Sequence, residues 1–392
     1  MNTQSTPVHI RLWHRNFWLM SLANLLLSMS MYLLIPTLPV WLIGSLHCNG
    51  LQVGGCMAVF ALGLYVFGAF CNWLVQRFRR NRVCILAIIL YAACVAALYY
   101  IRGLGNQYIE VRAIILLRLL MGAAFGLAQM ILSSTLIIDT AESYKRTEAN
   151  HSAAWFSRFS ISLGPMIGLM LLWHLGFDMV LLASIFMSMI ACVLILTVRF
   201  PFRTPQEDVH IVSTDRFLLP HSVPLFLNLL MVSLAIGLFM SLGLSDRFYG
   251  LIMGGFLLAL LSQRYVFEDA NLKSEIVTGL ILLVAAVLLV FFHPLPVVWY
   301  VAPVFMGIGI GLIGSRFLLF FVKLSDHCQR GTSQSTYMLS WETGIGVGIG
   351  LGYALFLNDS RSVLITMFVL IVAAWAMYNY YTHNWFLQHK NR

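Results

Sequence analysis

Charged side chains embedded in long apolar runs are the residues of this 392-residue sequence best placed to do chemistry. A charge deep in a bilayer is costly, so it persists where it pairs, meets water or acts. One acid lies well inside such a run, Glu342, together with the arginines Arg118, Arg158 and Arg316. Glu342 and Arg316 each lie about 11 Å from the same end of their runs at 1.5 Å per residue. Two readings stay open: an ion pair that neutralises both, or a carboxyl group that takes and releases a proton during a working cycle. Arg158 can snorkel to the nearer surface or pair with Asp139 at the end of the preceding run. Arg118, about 9 Å inside its own run, can also snorkel. Asn24, Tyr32, Gln129, Asn228 and Trp341 are candidate cavity groups or, equally, makers of interhelical hydrogen bonds.

The elements that must position these residues are membrane helices. The chain is 60% hydrophobic and 10% charged, against about 25% charged in an ordinary soluble domain. Its apolar residues fall into twelve runs, at 17–43, 51–75, 83–101, 112–138, 152–173, 178–198, 223–242, 249–267, 276–293, 297–323, 334–357 and 362–383. About 20 residues cross the hydrocarbon as a helix, and only helices satisfy the backbone of such runs in lipid. The expected fold is an all-α integral membrane protein of twelve transmembrane helices in two six-helix bundles. Ser262, Gln263 and Arg264 interrupt the eighth run. Pro36 and Pro39 should kink the first, which is too long for a signal-peptide core and has no cleavage pattern behind it.

Placing the N-terminus in the cytoplasm puts most of the 24 lysines and arginines on that side, among them Arg11, Arg15, Arg77, Arg79, Arg80, Arg82, Lys145, Arg146, Arg199 and Lys390. The positive-inside rule therefore sets both termini in the cytoplasm and the chain in the cytoplasmic (inner) membrane. The net charge of +9 reflects these basic loops meeting anionic membrane lipids, and no nucleic acid is needed to explain it. Cys48, Cys56, Cys71, Cys84, Cys94, Cys192 and Cys328 show no paired spacing, and most read as small apolar side chains. Asn150-His151-Ser152 and Asn358-Asp359-Ser360 fall where glycosylation is not expected. No residues have metal-ligand spacing and no P-loop is present, so neither metal nor cofactor is expected. Gly309-Ile310-Gly311-Leu312-Ile313-Gly314 fits GxGxxG but sits inside an apolar helix, where a dinucleotide site has no strand to precede it.

The longest polar segment contains Pro201, Pro205, Glu207, Asp208 and Pro220. It divides the chain into an N-terminal bundle (1–198), a cytoplasmic linker (199–222) and a C-terminal bundle (223–392). Gly164-Pro165-Met166-Ile167-Gly168 in helix five and Gly346-Val347-Gly348-Ile349-Gly350 in helix eleven occupy matching places, and repeated halves are a hallmark of secondary transporters.

Three motifs in order along the first half resemble those of the major facilitator superfamily. Asn72-Trp73-Leu74-Val75-Gln76-Arg77-Phe78-Arg79-Arg80 is similar to its loop signature after helix two, with Arg77, Phe78 and Arg80 matching and Asn72, Gln76 and Arg79 departing. Arg118-Leu119-Leu120-Met121-Gly122 resembles its helix-four motif, with Met121 in place of Gln. Gly164, Pro165 and Gly168 resemble part of its antiporter motif, although its first glycine is replaced. The resemblance implies a central cavity lined by helices one, four, seven and ten, so that Arg118 faces solute or couples protons. It also implies gating or structural roles for the loop and Gly-Pro residues. The expected protein is not an enzyme. It is a secondary active transporter, a monomer that exports a small organic solute against protons by alternating access. A proton symporter or uniporter for uptake is the first alternative. A membrane-embedded transferase would need a polar catalytic cluster that the short loops lack.

Overall fold

The computed structural model describes residues 11–101, 107–200, 209–268, 270–293, 295–326, 329–357 and 359–391. Pro201, Pro205, Glu207, Asp208, Cys328 and Asn358 lie outside the described residues. The described residues form helices and connecting turns, with no β-strand among them.

Twelve helical segments follow one another among the described residues: α1 Arg15–Leu46, α2 Gly50–Arg77, α3 Arg80–Ile101, α4 Tyr108–Asp139, α5 Arg146–Leu175, α6 Phe177–Thr197, α7 Pro220–Met240, α8 Asp246–Tyr265, α9 Leu272–Phe292, α10 Val298–Leu324, α11 Arg330–Phe356 and α12 Ser360–His389. Ten are long and apolar enough to cross a membrane. The other two, α8 and α11, have the length but spend polar residues on their neighbours. Gln263 of α8 donates to Glu275 and to Ser315, while Gln334, Ser335, Thr336, Ser340 and Glu342 of α11 are all buried. The chain is an all-α, multi-pass membrane protein.

Local chemistry sets where helices begin and bend. Asn49 and Gln52 form a reciprocal capping box at the start of α2. Ser245 accepts from the Phe248 N–H at the start of α8, and Asp359 from the Ser362 N–H at the start of α12. The first helix is interrupted at Leu33. Pro36 has no N–H to offer the Tyr32 carbonyl four residues back, so the joint falls one turn before the proline.

The first six helices pack in the same pairings as the last six. α1 lies on α5 and α6, α2 on α4, and α3 on α4 and α6; correspondingly α7 lies on α11 and α12, α8 on α10, and α9 on α10 and α12. Between the two sets, α2 packs on α11 and α5 on α8. Close approach there depends on missing side chains: a Cβ at Gly54 of α2 would collide with the Gly350 carbonyl of α11. The face of the bundle that holds residues 11–14 and 390–391 is called basal below, and the opposite face apical.

Candidate functional site

The spine of the site is one stripe of α11. Residues 334, 337, 338, 341, 342, 345, 346 and 349 recur at spacings of three and four, which puts them on one side of a helix. They line two narrow cavities between the first six and the last six helices. The basal cavity is completed by Asn24 of α1, Gln129 and Ser133 of α4, and Ser157 and Arg158 of α5. The apical cavity is completed by Met31 and Ile35 of α1, Met57 and Phe60 of α2, and Arg118 of α4.

Glu342 lines both cavities. It is 6% exposed, and Tyr32, fully buried at the interrupted point of α1, donates its hydroxyl to both carboxylate oxygens at 3.1 Å. No arginine, lysine or histidine lies within ion-pair distance of Glu342 among the described residues. The next residue makes a second contact across the halves, Thr343 Oγ1 to the Tyr65 hydroxyl of α2 at 2.8 Å. The carboxylate is thus held by one phenol, with water-sized space on either side.

Two guanidinium groups flank this acid. Arg158 is 3% exposed; its Nη2 donates to the Tyr337 hydroxyl at 3.0 Å, and its Cζ lies 4.4 Å from the Trp155 ring centre. It rests on Gly314 of α10, where a Cβ would come within 2.8 Å of Arg158 Nε. Arg118 is 2% exposed; its Nε donates to the Cys56 carbonyl at 3.3 Å, and its Cζ lies 4.6 Å from the Phe60 ring centre. Among the described residues neither has a carboxylate partner, and Nη1 of each has no hydrogen-bond partner.

Several sequence expectations are redirected by this geometry. Arg316 does not pair with Glu342; its Nε pairs with Glu275 of α9, which is fully buried and also held by Gln263. Sequence reasoning misses Glu275 because the apolar run starts one residue later, whereas the helix starts at Leu272. Arg158 neither snorkels nor meets Asp139, which pairs with Arg80 at the basal end of α3. Arg118 does not snorkel either, since it is buried against α2. Asn228 is away from both cavities and donates to the Ala374 carbonyl of α12 at 3.0 Å.

Among the remaining candidates, Asn24 donates to the Ala153 carbonyl and Gln129 to Ser28, each tying cavity helices together. Trp341 stacks near Tyr337. Arg77 is exposed at the end of α2, and the departing residues Asn72 and Gln76 hydrogen-bond each other within that helix. Gly164 and Gly168, flanking Pro165, seat the interrupted part of α1: a Cβ at Gly164 would lie 2.5 Å from Tyr32 Cβ, and one at Gly168 would lie 2.6 Å from the Leu33 carbonyl.

The basal end is covered by the chain just ahead of α7. The Ser213 N–H donates to the Ala69 carbonyl, Arg216 Nη1 to Thr135 of α4, and the Leu219 N–H to Thr336 of α11. The Thr332 hydroxyl accepts from the Arg216 N–H and donates to Asp215. Among the described residues, no group of His, Cys, Asp and Glu side chains is placed to hold a metal ion.

Two repeated sets of six membrane helices with a polar, charge-bearing cleft between them define a membrane transporter. The chain belongs to the Major Facilitator Superfamily, whose family model matches residues 20–262. Solved structures share the fold. The xylose transporter XylE from E. coli in an inward-open conformation is 13% identical, with a TM-score of 0.70 over 93% of this chain and 95% of that one. The human organic anion transporter MFSD10 is 15% identical, with a TM-score of 0.68 over 93% and 98%. The nucleoside transporter NupG is 14% identical, with a TM-score of 0.64 over 94% and 100%. No curated protein matches by sequence.

Proposed function

We propose that this transporter is a proton-coupled exporter of a small organic solute in the cytoplasmic membrane, with Glu342 as the coupling acid. The observation that carries the reading is the position of Glu342: buried between the two sets of helices, held from the other set by Tyr32, free of a cation partner among the described residues, and lining a cavity on each side. The groups facing it are Tyr32 of α1, Arg118 of α4 and Arg158 of α5, with Tyr337 on its own helix. Ionised, the carboxylate accepts the Tyr32 hydrogen bond on both oxygens and ties α1 to α11. Protonated, it has one oxygen committed to its own proton, and the tie weakens. Proton occupancy would thus bias which face opens.

In this reading residues 1–198 and 223–392 are the two bundles that rock past each other, working as a monomer, and 199–222 is the linker between them. The basal face, rich in lysine and arginine, is cytoplasmic. Export is favoured because Gly164, Pro165 and Gly168, which resemble the antiporter motif, seat the interrupted part of α1 that carries Tyr32.

The test is solute-induced proton movement in energised everted vesicles, comparing native protein with Glu342→Gln at equal, folded amounts. Dissipation of the pH gradient by added solute in the native protein, and its absence in the variant, supports antiport through Glu342. Equal flux in the variant overturns that role, and proton flux of the opposite sign makes the protein a symporter for uptake.

A further inference from the structure

Resting on this transport reading, we infer that the transported solute is an organic anion, received at Arg158 in the basal cavity and at Arg118 in the apical one. The two cavities between them hold two guanidinium groups and one carboxylate, and the carboxylate accepts its hydrogen bonds from a neutral phenol rather than from either arginine. Arg158 and Arg118 are therefore buried cations without counter-ions among the described residues. A buried charge is tolerated when something pairs with it, and truncating or omitting its partner is what makes it expensive.

In each guanidinium the unpartnered atom is the buried Nη1. Arg158 is held at Nη2 by Tyr337, on one face by the Trp155 ring, and along its side chain by contact with Gly314. Its Nη1 has no partner among the described residues, and the residue lines the basal cavity. Arg118 repeats the pattern, held by the Cys56 carbonyl and the Phe60 ring with Nη1 unpartnered, in the apical cavity. A planar guanidinium with a free N–H is suited to carboxylate, sulfonate or phosphate oxygens, and the hydrogen bond is charge-assisted. The other side chains lining the basal cavity match the remainder of such a solute in chemical character. Ile161, Met338 and Trp341 offer an apolar wall, and the unpartnered Oε1 of Gln334 and Oδ1 of Asn24 accept from a hydroxyl or amide on it.

The two arginines lie on opposite sides of Glu342, so the anion has a station before and after the acid. This arrangement makes the effects of substitution sided. Arg158→Gln weakens binding from the basal face, and Arg118→Gln weakens binding from the apical face.

The experiment uses the purified full chain and three isosteric probes: naphthalene-2-sulfonate, its neutral sulfonamide, and a naphthyl trimethylammonium cation, with phenyl phosphate and 2-naphthoate as further anions. Ligand-induced shifts of the thermal unfolding midpoint are titrated for native protein, Arg158→Gln and Arg158→Lys. The expected result is stabilisation by anions and not by the neutral or cationic probes. Half-saturation should rise at least about tenfold in Arg158→Gln, equivalent to about 1.4 kcal/mol, with partial recovery in Arg158→Lys. Preference for the cation or the sulfonamide, an undiminished response in a folded Arg158→Gln, or no response to any anion overturns the inference. Glu342-dependent proton flux driven by a neutral or cationic solute would leave the coupling proposal standing while removing this one. Anion binding with no proton flux in native protein would do the reverse.

Discussion

Tyr32 donates one hydroxyl to both oxygens of Glu342, 310 residues away in sequence, each at 3.1 Å. The bond joins the interrupted segment of α1 to the middle of α11, so it connects a joint in the first six helices to the one acid that lines both cavities. Pro36 creates the joint by leaving the Tyr32 carbonyl without its helical donor. Gly164 and Gly168 let α5 come close enough to support it. The Glu342 carboxylate, the joint in α1 and the contact between halves are consequently linked through one hydrogen-bonded pair.

Removing the hydroxyl alone tests that link. Tyr32→Phe keeps the buried ring and deletes the only hydrogen-bond donor to the Glu342 carboxylate among the described residues. A hydrogen bond to a charged group contributes about 1.5–3 kcal/mol, so the variant should unfold at lower temperature yet still assemble. The ratio of proton to solute flux in proteoliposomes should fall. An unchanged ratio would show that the phenol only packs.

Arg316 separates a structural pair from the proposed coupling acid. Its Nε pairs with Glu275, which is fully buried, so Arg316→Ala strands an acid in the protein interior. Breaking such a pair costs about 3–5 kcal/mol, which should appear as poor accumulation and a lowered unfolding temperature in detergent. The double substitution Arg316→Gln with Glu275→Gln should recover much of the loss, and its proton coupling should match native protein. Loss of coupling in that stable double variant would mean that the pair takes part in proton transfer.

The division between what is legible in the sequence and what is not follows from the physics of lipid. Twelve helices are readable because each apolar run reports its own length, and Glu342 because an acid in such a run is conspicuous. Helix rotation is not readable that way. Whether Arg158 reaches solvent, Asp139 or a cavity depends on which side of α5 faces α10 and α11, and lipid-facing and protein-facing sides of a membrane helix are both apolar. One signal is available: Gln334, Tyr337, Trp341 and Glu342 share a face of α11 with Ile345 and Ile349, and that polar-to-apolar stripe lines both cavities. Gln334 and Tyr337 escape notice because each is ordinary alone. Glu275 lies in the first turn of α9, ahead of the apolar run, so hydropathy assigns it to a loop.

The cover at the basal end should act as a latch. Thr332 joins Asp215 and the Arg216 N–H to α11, and Arg216 reaches Thr135 of α4. Thr332→Val preserves shape and removes both hydrogen bonds, a loss of about 1–3 kcal/mol when the stranded groups are counted. A cysteine placed at Ser213 should react faster with a water-soluble maleimide in this variant than in native protein. Equal rates would show that the segment is held by Phe217 packing on Gly68 and Tyr65 instead.

At the apical end α2 and α11 approach backbone to backbone, and this contact can be blocked sterically. A Cβ at Gly54 would collide with the Gly350 carbonyl and stand 2.7 Å from Ala354 Cβ. Backbone cannot yield as a flexible side chain does, so Gly54→Leu should force the two helices apart on that face while leaving the basal contacts in place. Cys56 is the native reporter, because it is fully buried beside the apical cavity and its carbonyl receives Arg118 Nε. In right-side-out vesicles an impermeant maleimide should leave Cys56 unmodified in native protein and modify it in Gly54→Leu, as read by peptide mass. The same variant should bind solute from the apical face and fail to complete transport, since the cavity can no longer close there. Modification of Cys56 at the native rate, with transport intact, would show that the contact between Gly54 and Gly350 does not govern apical closure.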